Sequence, residues 1–355
     1  MGRKQTTIQD IAKATGVSKT TISRYLNGKF EFMSEKTKNH IADIIAETGY
    51  RPNRMANSLK TNRSGLIGIV MSNVMSNQTP RLLGSICDTC AQYGKKIIVV
   101  NSEKNPEKER ALVYDLLDQR VDGLLVVSGY NVDFYRELDR EELPVVLADR
   151  VPKDTGMDIV AINHAESTSR VINHLLNQGF KHIVLLKHLH KNPNNTPALR
   201  AKAAIKTCRD YFGDDEHCES IILKNFNDPD EDAAQNFEEL TDILKGYYNT
   251  GNNGKPTAIF VVEPSIMNAT ACSYYRAGLG ISSRFTIAGY SEWNMGCMIT
   301  PPISTIEQPL ERMGQLATEK LIRRIDNQEA GEINEIREAN YLSCRIHLAD
   351  LPNEL

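Results

Sequence analysis

Apolar side chains follow two rhythms along this chain, one before residue 50 and another after Leu66. In the first stretch they recur every three or four positions. Ile8, Ile11 and Ala12 fall at i, i+3, i+4, which predicts one apolar face on a short helix. Gly16 follows where a left-handed corner needs a residue without a Cβ. Ser18 then supplies a side-chain oxygen to cap a second helix, and Ile22 and Leu26 point inward on it. After a loop from Gly28 to Met33, Ser34 caps a third helix to about Thr48. Ile41, Ile44 and Ile45 line its inner face, and Gly49 ends it.

Beyond Leu66 the apolar residues come in blocks: Leu66–Met71, Lys96–Val100, Gly123–Val127, Val145–Ala148, Ile183–Leu186, Ser220–Leu223, Ala258–Val262 and Thr286–Ala288. Amphipathic stretches separate them. Continuous apolar strands alternating with helices predict parallel sheets covered on both faces. The region is longer than one such unit comfortably holds, so the expectation is a small all-α head followed by an α/β core of two doubly wound lobes.

The outer face of the second helix is polar, cationic and free of carboxylates. Lys19, Thr20, Ser23, Arg24 and Asn27 lie on it, with Thr7 and Thr21 as further candidate contacts. A helix that meets a DNA duplex needs cations for phosphates and a fork such as Arg for guanine edges. Ala12, Gly16 and Ile22 fit the small residue, corner glycine and buried aliphatic of a helix-turn-helix, against the plainer alternative of a helical hairpin on a globular surface. Charge sorts the same way. Residues 1–63 hold 12 Lys/Arg against 5 Asp/Glu, while the remainder holds 30 against 40, which gives the net charge of −3. A basic head on an acidic body is the electrostatic footprint of nucleic-acid binding by the head.

Between them lies Tyr50-Arg-Pro-Asn-Arg-Met-Ala-Asn-Ser-Leu-Lys. Asn53 can cap one short helix to about Lys60, too short to hold alone in water. It carries Arg54, Asn57 and Lys60 beside Met55, Ala56 and Leu59. A plain linker is one reading; the functional one is a hinge that folds on DNA and wedges Leu59 into the minor groove.

Composition removes several alternatives. The chain lacks an apolar run of about 18 residues, and Gly2 to Thr7 is polar, so neither a membrane span nor an export leader is expected. Seven scattered cysteines suit reduced thiols in a cytoplasm. Cys87 and Cys90 sit in an expected helix without a second pair, and His188 and His190 have no third ligand nearby. No metal or other cofactor is therefore expected. An enzyme of doubly wound fold is the rival class. Yet no G-x-G-x-x-G follows the first strand, Gly254-Lys255-Pro256 lacks phosphate-loop spacing, and no G-x-S-x-G occurs. A periplasmic sugar carrier would share the core, but has no use for a basic head.

Ligands of doubly wound folds sit at the carboxyl ends of strands. Polar candidates there are Asn73, Asp149 with Arg150, Glu263, and Ser291 with Glu292. The head, the Tyr-x-Pro-Asn-x-x-Ala-x-x-Leu linker, Ile-Gly-Ile-Val from Ile67, Val-Asp-Gly-Leu at Val121–Leu124, Ala-Asp-Arg at Ala148–Arg150, Ala-Gly-Tyr at Ala288–Tyr290 and Pro-Pro-Ile-Ser-Thr-Ile-Glu-Gln-Pro at Pro301–Pro309 together resemble the lactose-repressor family of bacterial transcription regulators. The resemblance spans nearly the whole chain.

It implies a periplasmic-binding-protein-like core, with the head at 1–50 and the hinge at 51–63. One lobe would be 64–162 plus 292–325, the other 163–291 plus 326–345, with a tail at 346–355. By the same resemblance Lys19, Thr20 and Arg24 fall on base-reading positions, and Ser18 and Asn27 on DNA-backbone positions. Leu59 matches the wedging leucine and Ala56 the small residue that lets two hinge helices pack. Asp149, Arg200 and Gln308 match positions of an effector pocket. Departures matter too. Glu263-Pro264 stands where many members have Asn-Asp, Ser291 where an aspartate is frequent, and Arg200 precedes Ala203 rather than a glycine. Trp293, the only tryptophan, is read either as a sugar-stacking ring or as core. Arg150, Arg200 and Lys187 near strand ends suggest an acidic sugar. The expected partners are a double-stranded DNA operator, a sugar, sugar acid or sugar phosphate, and a second copy of the chain. No leucine heptads that would form a tetramer follow the last strand.

Overall fold

The computed structural model describes residues 6–26, 28–31, 33–50, 63–76, 78–127, 131–149, 155–188, 196–223, 233–251, 253–292, 295–329 and 337–350. They form two compact units that divide at Gly65.

The head holds α1 (Ile8–Thr15), α2 (Lys19–Leu26) and α3 (Glu35–Thr48). Thr7 and Asp10 close a reciprocal capping box at the start of α1, satisfying two backbone amides. Gly16 ends α1 at φ 70°, a conformation that would strain any residue with a Cβ. Ser34 caps α3 through the Thr37 amide at 3.1 Å. Ile11, Ala12, Ile22, Ile41 and Tyr50 form a single buried cluster that joins the three helices. The predicted helices are therefore present, and the predicted inward residues Ile11 and Ile22 are fully buried.

The second unit contains two six-stranded sheets. Its strands are β1 (Leu66–Met71), β2 (Lys96–Asn101), β3 (Gly123–Val127), β4 (Val145–Asp149), β5 (Asp158–Ile162), β6 (His182–His188), β7 (Cys218–Leu223), β8 (Thr257–Val261), β9 (Phe285–Ser291), β10 (Thr305–Glu307), β11 (Ala339–Leu342) and β12 (Arg345–His347). The first sheet runs β11-β5-β4-β3-β1-β2, with every pairing parallel. The second runs β12-β10-β9-β8-β6-β7, parallel except for the β10–β12 edge. Strands β3, β5, β8 and β9 are buried along their whole length, as layers of helix on both faces require. These helices are α4 (Thr79–Gln92), α5 (Pro106–Asp118), α6 (Val132–Arg140), α7 (His164–Asn177), α8 (Thr196–Phe212), α9 (Ala233–Thr250), α10 (Pro264–Arg276) and α11 (Leu310–Glu329).

Two differences from expectation concern connectivity. Strands β5, β10, β11 and β12 were not predicted, and the lobe boundaries shift. Residues 292–325 were assigned to the first lobe, yet β10 pairs with β9 in the second sheet. Residues 326–345 were assigned to the second lobe, yet β11 pairs with β5 in the first. Helix α11 packs on α4 and on β3, β4 and β5, so the chain crosses between lobes three times. Strands of three or four residues carry too little apolar signal to reveal which sheet they join. Helix α11 is also anchored by buried charge: Lys320 reaches Asp158 at 3.0 Å, and Arg324 reaches Asp139 at 2.8 Å and Asp158 at 3.2 Å. Removing one member would strand the others in a dry site, at roughly 3–5 kcal/mol.

In both sheets the strand order reverses beside the first strand: β1 lies between β2 and β3, and β6 between β7 and β8. Such switch points open a crevice beyond the strands' carboxyl ends. Asn73 follows β1, His188 ends β6 and Glu263 follows β8 at those places. Gly289 permits the close packing of β9 on β8; at φ 142° a Cβ there would lie 2.1 Å from the Val261 carbonyl oxygen.

Candidate DNA-reading face and candidate core binding site

On α2 the inner position is Ile22, and polar side chains occupy the outward positions. Ser18, Lys19, Thr20 and Arg24 are exposed, while Thr21 and Ser23 are half-buried. Ser18 accepts the Thr21 amide at 3.1 Å and pairs with the Thr21 hydroxyl at 2.9 Å, which fixes the first turn of the helix. Thr7 is exposed and similarly committed to Asp10. Thus two predicted contacts, Thr7 and Ser18, also hold the helix starts. Five acidic residues occur in the head and linker, and none lies on α2, so a phosphate backbone meets no like charge from that face. Asn27, Asn53, Arg54, Ala56, Asn57 and Leu59 lie outside the described residues.

In the core, Arg200 sits in the first turns of α8 and is only 3% exposed, which excludes a surface role. Its Nη1 donates to the Val262 carbonyl at 2.8 Å, its Nη2 to Gln308 Oε1 at 2.9 Å, and its Nε to His164 Nδ1 at 3.4 Å. The guanidinium carbon lies 3.6 Å from the centre of the Tyr290 ring. Tyr290 is in turn fixed by Thr168 at 3.0 Å, and burial pushes its phenol pKa up, so the ring stays neutral. Every one of these partners is uncharged. A buried cation is ordinarily paired with an anion, because desolvation penalises an uncompensated charge. The guanidinium has five N–H donors; three are taken by these bonds, and the Tyr290 hydroxyl is a further side-chain partner.

Beside this, at adjoining strand ends, Glu263 accepts from the His188 amide at 3.0 Å and from its Nδ1 at 3.2 Å. The structure therefore joins predicted residues Arg200 and Gln308, and sets Glu263 after the Val262 carbonyl that Arg200 grips. Ser291 is buried and turns its hydroxyl to the Glu292 carbonyl at 3.0 Å. Asn73 and Asp149 belong to the other sheet. Asn73 Oδ1 accepts the Met75 amide at 2.9 Å, and Asp149 ends β4 at φ 69°. Arg150 and Trp293 lie outside the described residues. His164, His188 and Tyr290 were missed as site members. Only Tyr290 carried a signal, through the Ala-Gly-Tyr run. Among the described residues no group of His, Cys, Asp and Glu could hold a metal, and no helix is long and apolar enough to cross a membrane.

Comparisons with known proteins divide along the same lines. Residues 7–53 match the family described as bacterial regulatory proteins, lacI family. Residues 74–216 match the periplasmic binding proteins and sugar binding domain of that family, and residues 172–345 a periplasmic binding protein-like domain. The HTH-type transcriptional regulator KdgR of Bacillus subtilis (strain 168) is 30% identical over 328 residues, 91% of this chain and 92% of that protein. The HTH-type transcriptional repressor PurR of Aliivibrio fischeri (strain MJ11) is 27% identical over 330 residues, 91% and 93% of the two chains. Among solved structures, the lac repressor dimer bound to operator and the anti-inducer ONPF superposes with a TM-score of 0.78 at 23% identity, covering 98% of this chain and 99% of that one. That likeness shows the fold. The identity to KdgR along nearly the full length of both chains, with the head's match, places this chain in the lacI family of bacterial regulatory proteins, as a DNA-binding transcription regulator and not an enzyme.

Proposed function

We propose that the protein binds a pseudo-palindromic operator as a homodimer, acting as a repressor, and that a small anionic sugar derivative held at Arg200 controls it. Lys19, Thr20 and Arg24 read base edges; Thr7, Ser18, Thr21, Ser23 and Asn27 meet the DNA backbone. Asn53, Arg54, Ala56, Asn57 and Leu59 belong to a hinge at the minor groove. A dimer sets two such helices in successive major grooves, and each good bidentate contact discriminates by ~1–3 kcal/mol. The lac repressor of similar fold is a dimer on its operator, which supports the pairing.

Arg200 carries the effector half of this reading: it is buried, and its partners are all neutral. A carboxylate or phosphoryl group suits the guanidinium fork, in competition with its neutral partners, and compensates the charge, which a neutral hydroxyl does not. Glu263 and His188, one strand end away, suit sugar hydroxyls. A ligand that prefers one arrangement of the lobes shifts the population, and DNA then changes ligand affinity by the same factor. Calorimetry on the full-length protein tests this with aldonic and uronic acids and their phosphates beside the matching neutral sugars. An acid should bind the wild type and lose about 30-fold or more with Arg200→Gln, as when a buried charge pair loses one partner. Equal binding of a neutral sugar, unchanged by Arg200→Gln, would overturn it.

A further inference from the structure

The guanidinium of Arg81 joins the two lobes. Arg81 lies in the first turn of α4, and its Nε and Nη2 donate to the two oxygens of Glu311 at 2.6 and 2.8 Å. The same Nη2 donates to Glu307 Oε1 at 3.0 Å. Both Arg81 and Glu307 are largely buried, with side chains 14% and 13% exposed. Glu311 is on α11, which packs on α4 and the first sheet, so that bond stays within one lobe. Glu307 ends β10, a strand of the second sheet. The Arg81–Glu307 bond therefore crosses the junction.

The residue after Glu307 is Gln308, whose Oε1 accepts from Arg200. Successive side chains of an extended segment point to opposite sides. One two-residue step thus offers its first side chain to an arginine of the first lobe and its second to the arginine of the candidate effector site. Other charges gather on the Glu307 side. Arg345 and His347 of β12 stand 3.8 and 3.6 Å from its carboxylate. Glu292, after β9, is buried, and burial raises its pKa while the nearby Arg81 opposes the rise.

We propose that Glu307 and Gln308 act as a relay, through which a change at Arg200 alters the Arg81 clamp between the lobes. Arg81 is then a positioning residue: it touches no ligand, and it sets how the lobes respond. The relay rests on Arg200 as the effector site, since a ligand anion there competes with Gln308 for the same guanidinium. Charge-assisted, forked hydrogen bonds have definite geometry, so a shift of Gln308 along the backbone is felt at Glu307 rather than absorbed. A static ion pair would hold α4 to α11 just as well, but would carry nothing to α8.

Hydrogen–deuterium exchange on the full-length protein, without any ligand, separates the two. Arg200→Gln should speed exchange in the α4 segment 79–86 by about fivefold or more, the lower end of typical inter-site coupling. Glu307→Gln should do the same in the α8 segment 196–204. Arg81→Lys keeps the charge but loses the fork, and should repeat the Glu307→Gln pattern should that variant fold poorly. Glu311→Gln should disturb only α4 and α11. If Arg200→Gln leaves 79–86 unchanged, and Glu307→Gln and Arg81→Lys leave 196–204 unchanged, the relay is wrong. Because no ligand enters this assay, that result leaves the anionic effector standing, and a failure of sugar acids to bind leaves the exchange result standing.

Discussion

The α2 face of the head and the Arg200 site of the core both present cations, in opposite states of solvation. Lys19 and Arg24 stand in solvent on a short helix whose fully buried side chain is Ile22. Arg200 stands inside a buried shell of Tyr290, Val262, Gln308 and His164. Solvated, movable cations suit a long polyanion met in many registers, and salt screens them readily. A buried, oriented guanidinium suits one small anion, because its field is strong and its donors are already aimed. The same residue type is thus used for reach in one region and for selection in the other.

The two regions also differ in what a single substitution can break. The head's buried cluster is five residues, whereas the core's clusters run through both sheets. Ile22→Ala removes a fully buried side chain, and such changes cost about 2–5 kcal/mol. It should unfold the head and abolish operator binding while the core's thermal transition stays put, measured by calorimetry and gel shift on one sample. Retained operator binding would show that the head is far more robust than its core suggests. Lys19→Ala is a smaller perturbation that sharpens the contrast in solvation. It should lower affinity for the preferred operator by about 1–3 kcal/mol more than for unrelated duplexes, as a lost base contact does. Arg200→Gln should leave that discrimination alone.

The head was legible because its working residues are set by a helical period: once Ile8, Ile11, Ala12 and Ile22 fix the inner face, the outer face follows. Eight strands of the core were legible as uninterrupted apolar blocks. The short strands β10, β11 and β12 were not, and with them the lobe assignment failed. Of the core site, Arg200 and Gln308 came only from family resemblance. Their partners lie far away in sequence: Arg200 is 62 residues from Val262 and 108 from Gln308, and Arg81 is 226 from Glu307. Local pattern carries no trace of such meetings. His188 looked like half of a weak metal pair until the fold set Glu263 against it. The burial of Arg200 was not legible locally, because an amphipathic helix with mixed charge gives no sign that one cation faces inward.

Selection of duplexes from a randomised pool by the full-length protein tests the central claim most directly, with Arg24→Ala run beside the wild type. The account predicts that the wild type enriches inverted repeats and that Arg24→Ala relaxes the preference at one base pair in each half-site, by about 1–3 kcal/mol. Enrichment of no inverted repeat, or the same repeat enriched equally well by Arg24→Ala, would contradict it.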